Sequence, residues 1–419
     1  DLDSSTDRFL QGGGRIQAMG QDSLITIDGE TKVEIRGEVL ASLEDMGIAD
    51  YVELSEGSDI YITSDAGVEV GGFIASQDEL NITASEDPSD LSFDLEISGL
   101  LYTSGDNKPL VIDVPNDINI EGKVYVLGER SDLIVRGGEN IRVANEVFVS
   151  DQVDIQAGPD ESDISFELTP FGSITSFAEN SSVSISGSND ALVHGPIRAV
   201  EAGSVIDLDF GEYIEIGNGL AANTIKASDA ITLTAGQAEG EDAFSILVND
   251  FANVEVTAEQ AEITGTGTGR IEFRGWVQAF DLQSTIDFQA GKDLVQTVGS
   301  RIKTHLSDSE INLYAPEQVA IFGSVIGGVD IIESTQTFNG QDVFVREYIP
   351  TGSRLDGQQQ GDLPGDADLE EPWAFEEDVE IRVWLEHPDG LKEGWITVRG
   401  EVTDDNNSLV ALAVDLQDS

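Results

Sequence analysis

Apolar and polar residues alternate with a period of two along most of the chain. The runs last only four to six residues and end at Gly, Asn, Asp or Ser, as in LIVRG, IRVAN and VDIQAG. Such alternation predicts short, half-buried β-strands. Three runs follow one another within residues 14–37: GRIQAM, SLITIDG and KVEIRG. A helical reading fails because Val, Ile and Thr dominate, Gly recurs in every window, and no spacing of three and four is sustained. INIEGKVYVLG at 118–128 and IRVANEVFVSD at 141–151 then repeat the same order of apolar and polar positions 23 residues apart.

A small residue between apolar positions marks each repeat. It is Gly37 in IRGEV, Gly72 in VGGFI, Gly99 in ISGLL, Gly122 in IEGKV, Asn145 in VANEV and Gly172 in TPFGSI. It continues as Gly195 in VHGPI, Asn218 in IGNGL, Gly275 in FRGWV, Gly299 in TVGSRI and Gly323 in IFGSV, with a weaker match at Gly14. From 99 to 218 the steps are 23, 23, 27, 23 and 23, and from 275 to 323 they are 24 and 24. The 57-residue gap between 218 and 275 predicts one more slot near Asn249, and the 35-residue gap between 37 and 72 predicts an insertion, ASLEDMGIADY. Self-similarity at this period predicts an all-β, parallel β-solenoid with three short strands in each coil of about 23 residues. Coils would stack about 4.8 Å apart, with Ile, Val and Leu inward and Asp, Glu, Ser and Thr outward. Since Gly and Asn best tolerate a positive φ, the slot is expected to be a corner in the left-handed conformation.

The pattern stops near residue 338, giving a solenoid over 1–338. Residues 339–372, including PTGSRLDGQQQGDLPGDADLEEP, are rich in Gly, Pro, Gln and Asp and read as a linker. The runs VEIRVWLEH, GWITVRGEV and SLVALAVDL follow, separated by the turn signals PDG and DDNN, and predict a small antiparallel β domain over 373–419. Three of the four tryptophans, Trp373, Trp384 and Trp395, lie in that stretch.

Composition narrows the partners. With 81 Asp and Glu against 21 Lys and Arg the net charge is −60, which repels nucleic acid phosphates and anionic membrane surfaces. Cysteine is absent, which removes disulfides and thiolate metal sites. No apolar run approaches 18 residues. The apolar content is mostly small or branched aliphatic, with 17 Phe, 7 Tyr and 4 Trp in 419 residues, and suits a thin core.

The strings ASDAITLTAGQ at 227–237, VDIQAGPD at 153–160 and IDFQAGKDL at 286–294 resemble the repeats of filamentous hemagglutinin-like bacterial surface adhesins, over roughly residues 10–335. The resemblance implies an exported, elongated and non-catalytic protein of the cell surface. The family's Asn-Pro-Asn-Gly type secretion signature is found nowhere in these 419 residues.

Candidate chemistry is sparse. The tripeptide RIK, Arg301 to Lys303, matches a short motif of the polygalacturonase family but has no accompanying NTD or GHG string. Alone, it is expected to be solvated surface. Asp404 and Asp405 pair only within a hairpin turn, and His194, His305 and His387 are scattered, with no two spaced as ligands. The acidic run GDADLEEP, with Asp366, Asp368, Glu370 and Glu371, lacks the sixth-position Gly and terminal Glu of an EF-hand loop and is a weak calcium candidate at most. TGTGTG at 264–269 has neither Lys nor a following helix to make a phosphate cradle. The sequence therefore leads to a non-catalytic extracellular structural or adhesive element, a subunit or segment of a surface filament, without catalytic, cofactor or metal residues. Self-association end to end, or continuation within a longer chain, and surface glycans are the expected partners. A β-helix polysaccharide lyase or hydrolase and a monomeric glycan-binding module are the alternatives.

Overall fold

The computed structural model describes residues 8–10, 15–18, 22–30, 32–41, 57–85, 91–96, 98–158, 164–236, 244–305, 309–315, 318–326, 330–338, 341–349, 354–357, 395–398, 400–403 and 409–414. Among them the regular structure is strand throughout, with no helix. The chain divides into two compact units, Asp1–Asn218 with Asn223–Ser228, and Gly219–Ala222 with Asp229–Ser419.

In the first unit each coil contributes three strands in turn. Asp117–Ile120, Lys123–Val126 and Leu133–Gly137 form one coil, and Ile141–Val143, Glu146–Val149 and Gln152–Ala157 the next. Every strand pairs in parallel with the strand at the same place in the following coil, as Ile118 with Ile141, Val124 with Val147 and Leu133 with Val153. Parallel pairing needs a long crossover between partners, and here the other two strands of the coil are that crossover. The first-strand ladder runs from Arg8–Leu10 to Ile214–Ile216, the second from Arg15–Ala18 to Asn223–Ala227, and the third from Leu24–Gly29 to Val205–Phe210.

A repeat of one coil in register places like on like. Ile118, Ile120, Val124, Val126, Leu133 and Val135 are buried, and so are Ile141, Val143, Val147, Val149, Val153 and Ile155 beside them. Each such side chain contributes about 1.5–3 kcal/mol by leaving water, and the alternation sends its neighbours outward. The long steps of the repeat are insertions ahead of the first strand. After residues 86–90 and 159–163, the strands Leu91–Leu95 and Ile164–Leu168 each carry a register irregularity at their start and a buried serine, Ser92 and Ser165. Ser165 Oγ donates to the Gly158 carbonyl at 3.1 Å, which ties the strand to the residue before the insertion. The insertion expected between 37 and 72 falls between Glu38–Ala41 and Asp59–Ser64, and its residues 42–56 lie outside the described residues.

The second unit has the same coil. Phe244–Val248, Ala252–Val256 and Glu262–Gly267 are the extra turn that the 57-residue gap predicts. Its core carries two large rings edge to face, Phe273 and Phe288 with centroids 4.7 Å apart. Gly265 makes room for them, since a Cβ there would run into the Phe288 ring.

Beyond Ile326 the coil changes. Asp330–Phe338 and Gln341–Ile349 form an antiparallel hairpin, and Arg354–Gly357 pairs antiparallel with both Ser324–Ile326 and Gly400–Thr403. Strand therefore occupies 341–349 and 354–357, within the stretch that reads as linker. Trp395–Val398 and Leu409–Val414, expected as arms of an antiparallel meander, instead add in parallel to Gln318–Ile321 and Glu310–Ala315. The unpaired backbone groups at the edge of the last regular coil are ready-made partners for any alternating strand within reach. Residues 358–394, with Trp373, Trp384, His387 and the acidic run at 366–371, lie outside the described residues, as do Asp404 and Asp405.

Candidate ligand-binding surface

The residues expected at the corners are, with one exception, not in the left-handed conformation. Gly37, Gly72, Gly99, Gly122, Asn145, Gly172 and Gly195 hold equivalent register places at the start of the second strand in the first unit, with Pro196 between Gly195 and its strand, as do Gly275 and Gly323 in the second. None of them has a positive φ. The constraint is close approach. A Cβ on Gly122 would sit 2.6 Å from the Glu96 carbonyl oxygen and 2.7 Å from Leu95 Cγ, and closer still to the Gly99 carbonyl. Gly275 meets the Asn249 carbonyl oxygen at 2.5 Å in the same way, and Gly323 that of Ser300. Where Asn145 fills the place, its side-chain amide donates to the Glu121 carbonyl at 2.8 Å. Two positions shift. By register the corner belongs to Asn223, whose amide donates to the Val193 carbonyl at 2.8 Å, and Asn218 lies within an insertion before it. Gly299 stands one residue ahead of the corner residue Ser300, has a φ of 89°, and has open space where a Cβ would go. The slot expected near Asn249 is filled by Ala252, beneath Gly275.

Left-handed residues form a different column, two or three residues before the third strand. They are Asp22, Gly57, Asn107, Arg130, Asn180 and Gly203 in the first unit and Gln260 and Gln283 in the second. Their amides are tied to the adjacent coil, as Asn180 N–H to the Ala202 carbonyl and Gln260 N–H to the Leu282 carbonyl, both 2.8 Å. A serine follows most of them and is buried: Ser58, Ser131, Ser181, Ser204 and Ser284. Ser131 Oγ donates to the Gly105 carbonyl at 2.6 Å, and Ser181 and Ser204 share a hydrogen bond at 3.0 Å. The sequence signal for this column is the 23-residue step from 107 to 130, 180 to 203 and 260 to 283.

Outside the coil the faces differ. On the first-strand face of the first unit, register stacks Glu34, Glu69, Asp94, Asn119, Arg142 and Glu167. Arg36 pairs with Glu34, Glu69 and Glu96, Lys32 pairs with Glu69, and Arg142 bridges Glu121 at 3.1 Å and Glu167 at 3.2 Å. A hydrogen bond with Glu69 holds the Glu96 carboxyl above its ordinary range, and burial raises Asp94. His194 faces Glu215 on this face, 3.3 Å away. Nearly every cation here is spent neutralising the stacked carboxylates.

The second-strand face carries rings. In the first unit Tyr102, Tyr125 and Phe148 stand in one outward column. Tyr125 and Phe148 meet edge to face at 6.3 Å, and Phe148 stacks on Phe177 at 4.5 Å. Tyr125 Oη donates to Glu146 at 2.6 Å beside Lys123, and burial raises the phenol's pKa first. Phe73 and Tyr102 pack against the outward Leu40 and Ala75.

In the second unit the same face places Trp276 beside Arg301, and Gln278 beside Lys303. Trp276 is 42% exposed, and the Arg301 guanidinium lies 5.2 Å from its ring centroid. His305 stacks on Phe280 at 4.3 Å and its Nε2 lies 3.1 Å from Gln278 Oε1. Burial, then Lys303 and Arg301, lower His305 to about 4, so near neutrality the ring is uncharged and donates from Nε2, leaving Nδ1 as an acceptor. Burial, and then Arg301, lower Lys303. The RIK residues are thus neighbours of aromatic rings. No family model, curated protein or solved structure matches the chain. The coil itself is that of a parallel β-solenoid repeat protein.

The TGTGTG motif is part of the ladder. In TGTGTG, Thr264 to Gly267 lie in a third-position strand whose backbone is paired in parallel on both sides, so its amides are engaged in the ladder. Among the described residues no group of three His, Cys, Asp or Glu converges as a metal site. A stacked ring face with an exposed cation offers apolar contact to a flat ligand and a charge-assisted hydrogen bond at its edge.

Proposed function

We propose that the chain is a non-catalytic extracellular element, structural and adhesive, that serves as a subunit or segment of a cell-surface filament. The observation that carries this reading is the repeating parallel register of the first unit, where the same aliphatic ladder recurs coil after coil, with irregularities among the described residues only at the starts of Leu91–Leu95 and Ile164–Leu168, while the outward residues change. Such a stack is stiff, because bending it would part in-register strands, and it presents long outward faces in place of an enclosed cavity. The resemblance of the repeat strings to filamentous hemagglutinin-like adhesins supports the same reading. Purified chain should sediment as larger species as concentration rises, or be retained on glycan or cell surfaces, and should release no reducing ends or unsaturated products from a panel of acidic and neutral polysaccharides. Turnover of any of these would replace the reading with a β-helix lyase or hydrolase. A chain that stays monomeric and is retained nowhere would end it.

A further inference from the structure

Four acidic residues for every basic one should leave each cation beside a carboxylate, and most are. Arg15 pairs with Glu38, Lys108 with Asp78, Lys123 with Glu146, and Arg270 and Arg274 share the buried Glu272. Arg130, Arg136, Arg198 and Lys292 form no ion pair among the described residues, the first three being exposed; Arg301 and Lys303 are also unpaired and lie together. They project from one strand two residues apart, each is only partly exposed, and among the described residues neither forms an ion pair with a carboxylate. Each instead lies near the other, and Lys303 is disfavoured as a cation by burial and by Arg301 together. Holding two like charges together, half out of water, is costly unless an anion joins them. Beside them are the exposed Trp276 and the uncharged His305, whose Nε2 faces Gln278 Oε1.

We propose that Trp276, Arg301 and Lys303 form a binding site for the carboxylate of an acidic sugar carried singly on an otherwise neutral glycan. The two cations take the carboxylate, Arg301 through its planar fork and Lys303 as a point charge. The indole lies against the apolar face of the sugar ring. The rest of the protein selects the sparse charge: at −60 overall, a densely charged polyanion would lie across acidic neighbours and be repelled, whereas one carboxylate feels mainly the local pair. The adhesive role rests on the reading above; the site itself rests on the pair of cations.

The test is calorimetric titration of the full chain with a disaccharide of glucuronic acid linked to a neutral hexose. Its carboxyl-reduced counterpart and a dense polyuronate serve as comparisons. Saturable binding is expected, weaker by at least tenfold for the carboxyl-reduced sugar and in Arg301→Gln and Lys303→Gln, and weakened in Trp276→Ala, with thermal melting showing the variants folded. The carboxyl-reduced arm needs no variant and decides the matter even where one unfolds. Equal binding of the reduced sugar, unchanged binding in both charge variants, no binding by the wild-type chain, or tighter binding of the polyuronate per carboxylate would each overturn the assignment. A surface-retention assay run in parallel separates the two readings. Retention on other glycans without disaccharide binding removes this site and leaves the adhesive role, while retention nowhere removes that role.

Discussion

Replacing Gly122 by Ala puts one methyl group where the structure has none to spare. The added Cβ would sit 2.6 Å from the Glu96 carbonyl oxygen and 2.7 Å from Leu95 Cγ, with the Gly99 carbonyl nearer still. Two of the three obstacles are backbone carbonyls already engaged, that of Gly99 accepting Lys123 N–H at 3.1 Å and that of Glu96 accepting Gly99 N–H at 2.7 Å. No rotamer change relieves them. Overpacking of this kind costs about 1–3 kcal/mol, and in a unit of this size 1 kcal/mol moves the melting temperature by about 2–4 °C. Gly122→Ala should therefore melt about 2–12 °C lower by circular dichroism or calorimetry, with unchanged far-ultraviolet spectra at low temperature. Gly299 supplies the contrast. Its φ is 89° and nothing lies within 4 Å of a Cβ there, so its constraint is conformational. Gly299→Ala should cost about 1–2 kcal/mol, and Gly299→Asn should recover part of that because Asn tolerates the left-handed region. A Gly122→Ala chain that melts with the wild type would refute the close-approach account of the corner.

Three more predictions follow from the same geometry. Arg130, exposed and held at a φ of 56°, carries backbone strain that Gly would relieve, so Arg130→Gly should raise the melting temperature by a few degrees; a fall would mean that its side chain is needed. Self-repulsion at a charge of −60 should make stability rise with added sodium chloride between about 0.01 and 1 M, as the Debye length shrinks from about 30 to about 3 Å, and a flat melting temperature would contradict this. Burial lowers His305 to about 4 from its ordinary 6.5, so the unfolded chain takes up this proton first, and the associated stability is present above 6.5 and lost as pH falls toward 4. Between those limits His305→Gln should lose less stability than the wild type, and identical pH profiles would show that the ring is not desolvated.

The coil was legible because its two determinants are local. Alternation fixes which residues of Ile118–Ile120 or Val124–Val126 face inward, and a close backbone approach selects Gly at most corners, with Asn145, Asn223, Ala252 and Ser300 at the others, so both leave marks in composition. Reading that Gly as a left-handed corner failed because smallness and positive φ select the same residue. The pair Gly122 and Asn145 could not separate them without the position of the Glu121 carbonyl that Asn145 engages. The true left-handed column stayed hidden because Asp22, Arg130, Gln260 and Gln283 are forced into it by the ladder and have no shared composition. Register errors at Asn218 and Gly299 arose where short insertions moved the small residue off the corner. The surface was less legible still. Arg301 and Lys303 were visible as a tripeptide, but Trp276 and Gln278 lie one coil away, 25 residues earlier, and only parallel register makes them neighbours.

Electron microscopy of native material from the cell surface tests the central claim most directly. Periodic fibres labelled by an antibody to this chain are predicted; dispersed particles of a single small size, under conditions that preserve surface structures, would contradict it.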